Sequence, residues 1–210
     1  NHDSIREYIC NFIMSTLEVN TINPQSGDDV TIGGSSKNVK FASGTTVDFS
    51  TNTPTLTLGT AMKATPAFHA FLGTNQEPSD DTSTVVEIDT ESFDTDSAYD
   101  TSTYRFTPQV AGKYFVYAAI NHNPSSSNNL QQAMVGIRKN GSDISRNFFA
   151  SSTNPADELV VVTEIMVDLN GSSDYVDIVG LQAVSSGTNR FTGNSTLSRT
   201  CFGAYRIIGA

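Results

Sequence analysis

Apolar and polar residues alternate along most of this chain with the period of a β-strand rather than of a helix. Phe68, Ala70 and Leu72 alternate with His69 and Phe71, and Thr84 to Ile88 reads as a second, short strand. Phe106-Thr-Pro runs into Gln-Val-Ala-Gly, a turn in which Pro fixes φ and Gly can take φ > 0. Beyond it Tyr114, Val116, Ala118 and Ile120 interleave with Phe115, Tyr117 and Ala119, so the strand is apolar on both faces. Such a strand is buried centrally or faces a partner subunit. Ala133 to Arg138 and Asp143 to Phe149 flank Lys139-Asn140-Gly141-Ser142, and Asn-Gly is a strong hairpin signal. Leu159 to Leu169 and Tyr175 to Ala183 bracket a second Asn-Gly at 170–171, and Phe202 to Ile208 closes the pattern.

Upstream the pattern shrinks to triplets. Val30-Thr-Ile32, Val39-Lys-Phe41, Val47-Asp-Phe49 and Leu56-Thr-Leu58 begin nine, eight and nine residues apart, separated by Gly, Ser, Thr and Pro turn material. Each triplet points two side chains to one face of a tiny strand. Burying two such side chains contributes roughly 3–6 kcal/mol. Ordering eight or nine backbone residues costs about 1–2 kcal/mol each, so a rung cannot close a core alone. Stacked copies of the chain would let every rung meet itself. Residues 14–65 therefore read as a thin, trimeric β-rich stalk, with Val30, Ile32, Val39, Phe41, Val47 and Phe49 at the interface; a Ser/Thr/Gly linker is the alternative. In residues 1–13, Ile5, Tyr8, Ile9, Phe12 and Ile13 recur at helical spacing after Ser4. That leader is either a short docking helix or upstream read-through before a natural start at Met14.

Composition agrees with an all-β chain: Ser, Thr, Asn, Gly, Val and Phe abound. The net charge of −10 argues against nucleic-acid binding, which rests on clustered Lys and Arg. Arg138-Lys139, the densest basic pair, reads as a solvated hairpin end. The longest apolar stretch, Leu159 to Val167, is broken by Thr163 and Glu164, so no segment reads as membrane-inserting. Tyr8 to Met14 is too short for a secretory signal and carries Asn11. Cys10 and Cys201 are too few for a disulfide framework, and Cys201 beside Phe202 reads as a buried, inert thiol.

Catalytic chemistry does not assemble. His2, His69 and His122 are scattered, the second in an edge-like strand and the third in an Asn-His-Asn-Pro turn. No His-Glu-x-x-His, Gly-x-Ser-x-Gly or phosphate loop occurs. No cofactor is expected. From Glu77 to Asp100 nine carboxylates lie without a Lys or Arg. Calcium favours such oxygen-rich loops, but the Gly and terminal Glu of a calcium-binding hand are missing; a solvated acidic loop is the simpler reading. Asn140-Gly-Ser142, Asn170-Gly-Ser172 and Asn194-Ser-Thr196 fit the glycosylation pattern, but no sugar is assigned. The Ser/Asn-rich loop Asn121 to Asn129 is the adaptable polar surface to search for glycan or protein contacts.

Asp94, Tyr99, Phe106, Gly112 and Tyr114 stand at the spacing of a known signature, with Ile88, Val116 and Ala118 in place of its other three aromatics. Residues 66–210 thereby resemble the globular head of complement component C1q, a tumour-necrosis-factor-like jelly roll. The resemblance implies a β-sandwich head and a homotrimer. The doubly apolar strand from Tyr114 to Ile120 is the expected trimer interface of the heads, with Tyr114 and Tyr117 as principal anchors and Phe115 and Val116 beside them. Several relatives of this fold hold calcium near the trimer axis. The opening from Met14 resembles the starts of tail-fibre and other appendage proteins of marine phages. The expectation is a non-enzymatic virion protein, assembled in the host cytoplasm and joined to other virion proteins through its N-terminal end. Its head would attach to a glycan or protein on the host surface. The alternative is a secreted cellular adhesion or lectin-like module with the same head.

Overall fold

The computed structural model describes residues 65–208. The leader and the six expected stalk contacts (Val30, Ile32, Val39, Phe41, Val47 and Phe49) lie outside them. The described chain folds into eleven strands and no helix. They are β1 Ala67–Phe71, β2 Thr84–Val85, β3 Thr90–Asp94, β4 Tyr99–Asp100, β5 Arg105–Phe106, β6 Gly112–His122, β7 Leu130–Lys139, β8 Ser142–Ala150, β9 Leu159–Leu169, β10 Val176–Val184 and β11 Cys201–Arg206. All pairings are antiparallel. One sheet runs β3-β1-β11-β6-β9 and the other β4-β5-β10-β7-β8, with β2 beside β10. Two facing antiparallel sheets with this interleaved order make a jelly-roll sandwich.

Period-two alternation fills the space between the sheets. Phe68 and Ala70, Phe202 and Ala204, and Tyr114, Val116, Ala118 and Ile120 point inward from three adjacent strands. Val135, Ile137, Val176 and Ile178 meet them from the opposite sheet. Phe68 is the keystone: its ring stacks on Tyr99 and Phe106, both at 4.6 Å, and Phe202 meets it edge-on at 5.0 Å. Each such pair adds about 0.5–1.5 kcal/mol beyond simple burial. Two tyrosines reach the core and still satisfy their hydroxyls: Tyr99 Oη donates to the Ile88 carbonyl at 2.8 Å and Tyr114 Oη to the Val110 carbonyl at 2.6 Å. The hairpin foreseen at Asn140-Gly141 is a two-residue turn with φ of 51° and 80°, the positive values that this turn demands. At the second Asn-Gly, Gly171 crosses the backbone of Val110–Ala111, where a Cβ would lie 2.2 Å from the Ala111 nitrogen.

Five expectations change. The strand foreseen over Thr84–Ile88 is paired only at Thr84–Val85, while Val86 and Ile88 turn into the core. The acidic segment is not simply a loop, because Thr90–Asp94 and Tyr99–Asp100 pair as strands. β1 is not an edge, since β3 pairs along its outer side. His122 ends β6 fully buried, and Asn121 is buried beside it, so the polar loop begins only at Asn123. Arg138 is no solvated hairpin end: its Nε and Nη2 bind both oxygens of buried Asp177 at 2.8 and 2.7 Å.

Candidate functional site

The outer face of the five-stranded sheet holds the most unusual surface. Cross-strand partners point the same way, so the register defines three rows across it. Ala67, Tyr205, Phe115 and Met166 form the first. Phe93, His69, Gly203, Tyr117 and Glu164 form the second. Phe71, Cys201, Ala119 and Val162 form the third. Met166 is 68% exposed, Val162 55%, Phe93 51% and Tyr205 45%. Phe115 stands between Tyr205 at 5.4 Å and Tyr117 at 6.3 Å, ring to ring. Glu164 is the one carboxylate in the three rows. In a chain of net charge −10 this is a large apolar surface kept almost free of charge.

The middle row is polar at its centre because β11 has a glycine there. A Cβ on Gly203 would fall 2.3 Å from Tyr117 Oη and 2.9 Å from the Phe68 carbonyl oxygen. Without one, the Tyr117 ring lies across β11 and its hydroxyl reaches His69 Nδ1 at 3.0 Å, the two rings stacked 6.0 Å apart. His69 Nε2 lies 3.4 Å from Ser198 Oγ. Burial lowers the His69 pKa and raises that of Tyr117, where Cys201 and Tyr205 push further in the same direction. Burial also raises the Cys201 pKa, leaving a protonated, weakly nucleophilic thiol.

Of the four head residues expected at an interface, the structure separates two from two. Phe115 and Tyr117 lie on this outer face. Tyr114 and Val116 are fully buried between the sheets, where no partner chain can touch them, and that expectation is corrected. The reason is parity: successive residues of one strand cannot share a face. The other members of the rows escaped the sequence reading. β9 carried the available signal, since Val160, Val162 and Met166 interleave with Val161, Ile165 and Val167, another strand apolar on both sides.

Other surfaces offer less chemistry. The loop from Asn123 is laced down: Arg190 donates to Asn123 O and Oδ1, and Asn129 Oδ1 accepts from Ser185 and Ser186 hydroxyls. A cleft of about 370 Å³ between β8 and β9 is lined by Arg146, Asn147, Val162, Thr163 and Glu164. Its Arg146 is occupied by Asp143. Beside it, Asn147 Nδ2 and Ser145 Oγ donate to the carbonyls of Val162 and Glu164 at 2.9 and 3.3 Å, covering the border of β9. Among the described residues no three His, Cys, Asp or Glu side chains converge as metal ligands.

No protein-family model and no curated protein matches the chain. Among solved structures it is similar to the globular domain of zebrafish complement 1qA protein, at 14% identity and a TM-score of 0.48, covering 68% of this chain and 97% of that one. It is similar also to Eiger TNF from S. frugiperda, at 14% identity and a TM-score of 0.49, covering 69% and 93%. The jelly-roll assignment rests on the strand order itself.

Proposed function

We propose that the chain is a homotrimeric, non-enzymatic binding protein, a virion appendage whose jelly-roll heads attach to a glycan or protein on a host surface. The observation that carries self-association is the exposed apolar face of β3-β1-β11-β6-β9, and its occupant is a second copy of the chain. Two facts favour a copy over an unrelated partner. Chains of net charge −10 repel one another, and rows that carry Glu164 as their one carboxylate are a place where two copies approach at low electrostatic cost. β1 also begins nine residues after Leu58 of the last apolar triplet. Copies held together through the triplets would therefore keep each sheet within about 30 Å of chain length of the shared tether, and two sheets within about 60 Å of one another.

Attachment follows by multivalency. Three heads presented together strengthen a weak contact by roughly 10²–10⁴ without any new interaction. The virion setting is supported by the triplet ladder and the appendage-like opening from Met14. The test has two parts. Mass measurement in solution at micromolar concentration should give three chains. Phe115→Asp should give one, because an uncompensated buried charge costs about 3–5 kcal/mol in each copy, or roughly 10²–10⁴ in association per copy. Folded monomer from the native chain would end this reading, as would an unaltered trimer from the variant. If both parts succeed, the variant should also lose binding to host cells.

The fold is proposed to need no ion. Melting curves with and without a calcium chelator should coincide, and a Tm lowered by chelator would show that the acidic segment holds a metal.

A further inference from the structure

His69 is the histidine of the outer face, and it lies at the centre of that face rather than at its rim. The neutral ring fits its setting in one tautomer: Nδ1 accepts from Tyr117 Oη, and Nε2–H is turned toward Ser198 Oγ. Phe93 flanks it on β3 and the bare backbone of Gly203 on β11. The charges around it are turned elsewhere. On β3, Asp94 caps the Tyr99 amide and Glu91 acts on Tyr99. On β11, Arg206 acts on Tyr114, and Cys201 and Tyr205 act on Tyr117. On β6 the facing group is Tyr117 itself, and on β9 it is Glu164, on the far side of Tyr117. In the loop, Arg199 is paired with Glu158.

Resting on the proposed self-association, we infer that assembly of the heads is gated by acid, with His69 as the titrating group. On a free head an imidazolium at this place remains in contact with water. Once a second copy covers the face, the same charge lies among Phe93, Phe115 and Tyr205 with no carboxylate beside it, and burial disfavours the charged form. The assembled state therefore holds His69 neutral to lower pH than the free head does. Association is complete above the free head's His69 pKa and weakens as pH falls below it, because dissociation takes up a proton per copy. Three copies give up to about a thousandfold per pH unit in the association constant, tenfold for each proton.

Sedimentation of the full chain from pH 7.5 to pH 5.0, with circular dichroism at each pH to show that the head stays folded, tests this. The native trimer should dissociate across that range while its dichroism is unchanged, and His69→Asn should remain trimeric throughout. His69→Gln serves the same purpose if the Asn variant does not fold. A native trimer equally stable at pH 5.0, or a variant with the same pH profile as the native chain, would overturn the proposal and leave self-association intact. A monomer already at pH 7.5 would instead remove the interface on which the inference stands.

Discussion

Arg138→Met is expected to destabilise the head by about 3–5 kcal/mol, the cost of leaving a buried carboxylate without its partner. Asp177 has a side chain only 2% exposed and receives both of its strong hydrogen bonds from Arg138 across the β7–β10 ladder. Arg105 stands 4.0 Å away, held over the Tyr175 ring at 4.1 Å. It can turn toward the orphaned carboxylate, so the observed loss should sit at the lower end of that range. Denaturant unfolding of the variant measures it. The double variant Arg138→Met/Asp177→Leu should recover most of the loss, because an apolar pair spares the desolvation that the ion pair incurs. A single variant as stable as the native chain would show that the pair contributes nothing.

Acidification from pH 6.5 to about 4 should cost the fold roughly 3 kcal/mol through His122 alone. This side chain is fully buried at the end of β6, edge-on to Phe191 at 5.3 Å. Burial lowers its pKa to about 4, against weaker opposing pulls from Gln182 and the Met134 carbonyl. Unfolded chains take up the proton near 6.5 and the folded head does not. Stability from this group is therefore complete above pH 6.5 and falls continuously toward pH 4, below which both states are protonated. Protonation of the many carboxylates relieves self-repulsion in the same range and works the other way, so the comparison must be between proteins. His122→Asn keeps a polar side chain at this place and does not titrate. The stability gap between native protein and variant should narrow by about 3 kcal/mol between pH 7 and pH 4. A constant gap would show that His122 is not the titrating group.

The strands with the clearest alternation were legible because one physical cause, burial on one face, wrote both the sequence and the structure. Tyr114, Val116, Ala118 and Ile120 are the best case. The signature that pointed to the fold consists largely of such positions: Ile88, Tyr99, Phe106, Tyr114, Val116 and Ala118 are all core residues. For the same reason it could not mark the surface; Tyr114 and Val116 were expected at an interface because their strand is apolar on both faces, which does not say which face looks outward. β4 and β5 were missed because each has only two residues, and β3 and β4 lie in an acidic stretch whose polar residues mask their pairing. The outer face was half legible. Phe115 and Tyr117 follow from a doubly apolar strand, but His69, Gly203 and Tyr205 become their neighbours only through the β1-β11-β6 order, which no local pattern encodes. Arg138 shows the same limit, since a charge beside a turn looks solvated until the strand opposite is known to bring Asp177.

The side chains of Ser145 and Asn147 occupy carbonyls along one flank of β9, and this bears on what the molecule avoids. A lateral strand with open backbone groups is a template on which chains can add without limit. With the Val162 and Glu164 carbonyls so taken, that part of β9 offers a poor template for an added strand, and ribbon-like growth along it is disfavoured.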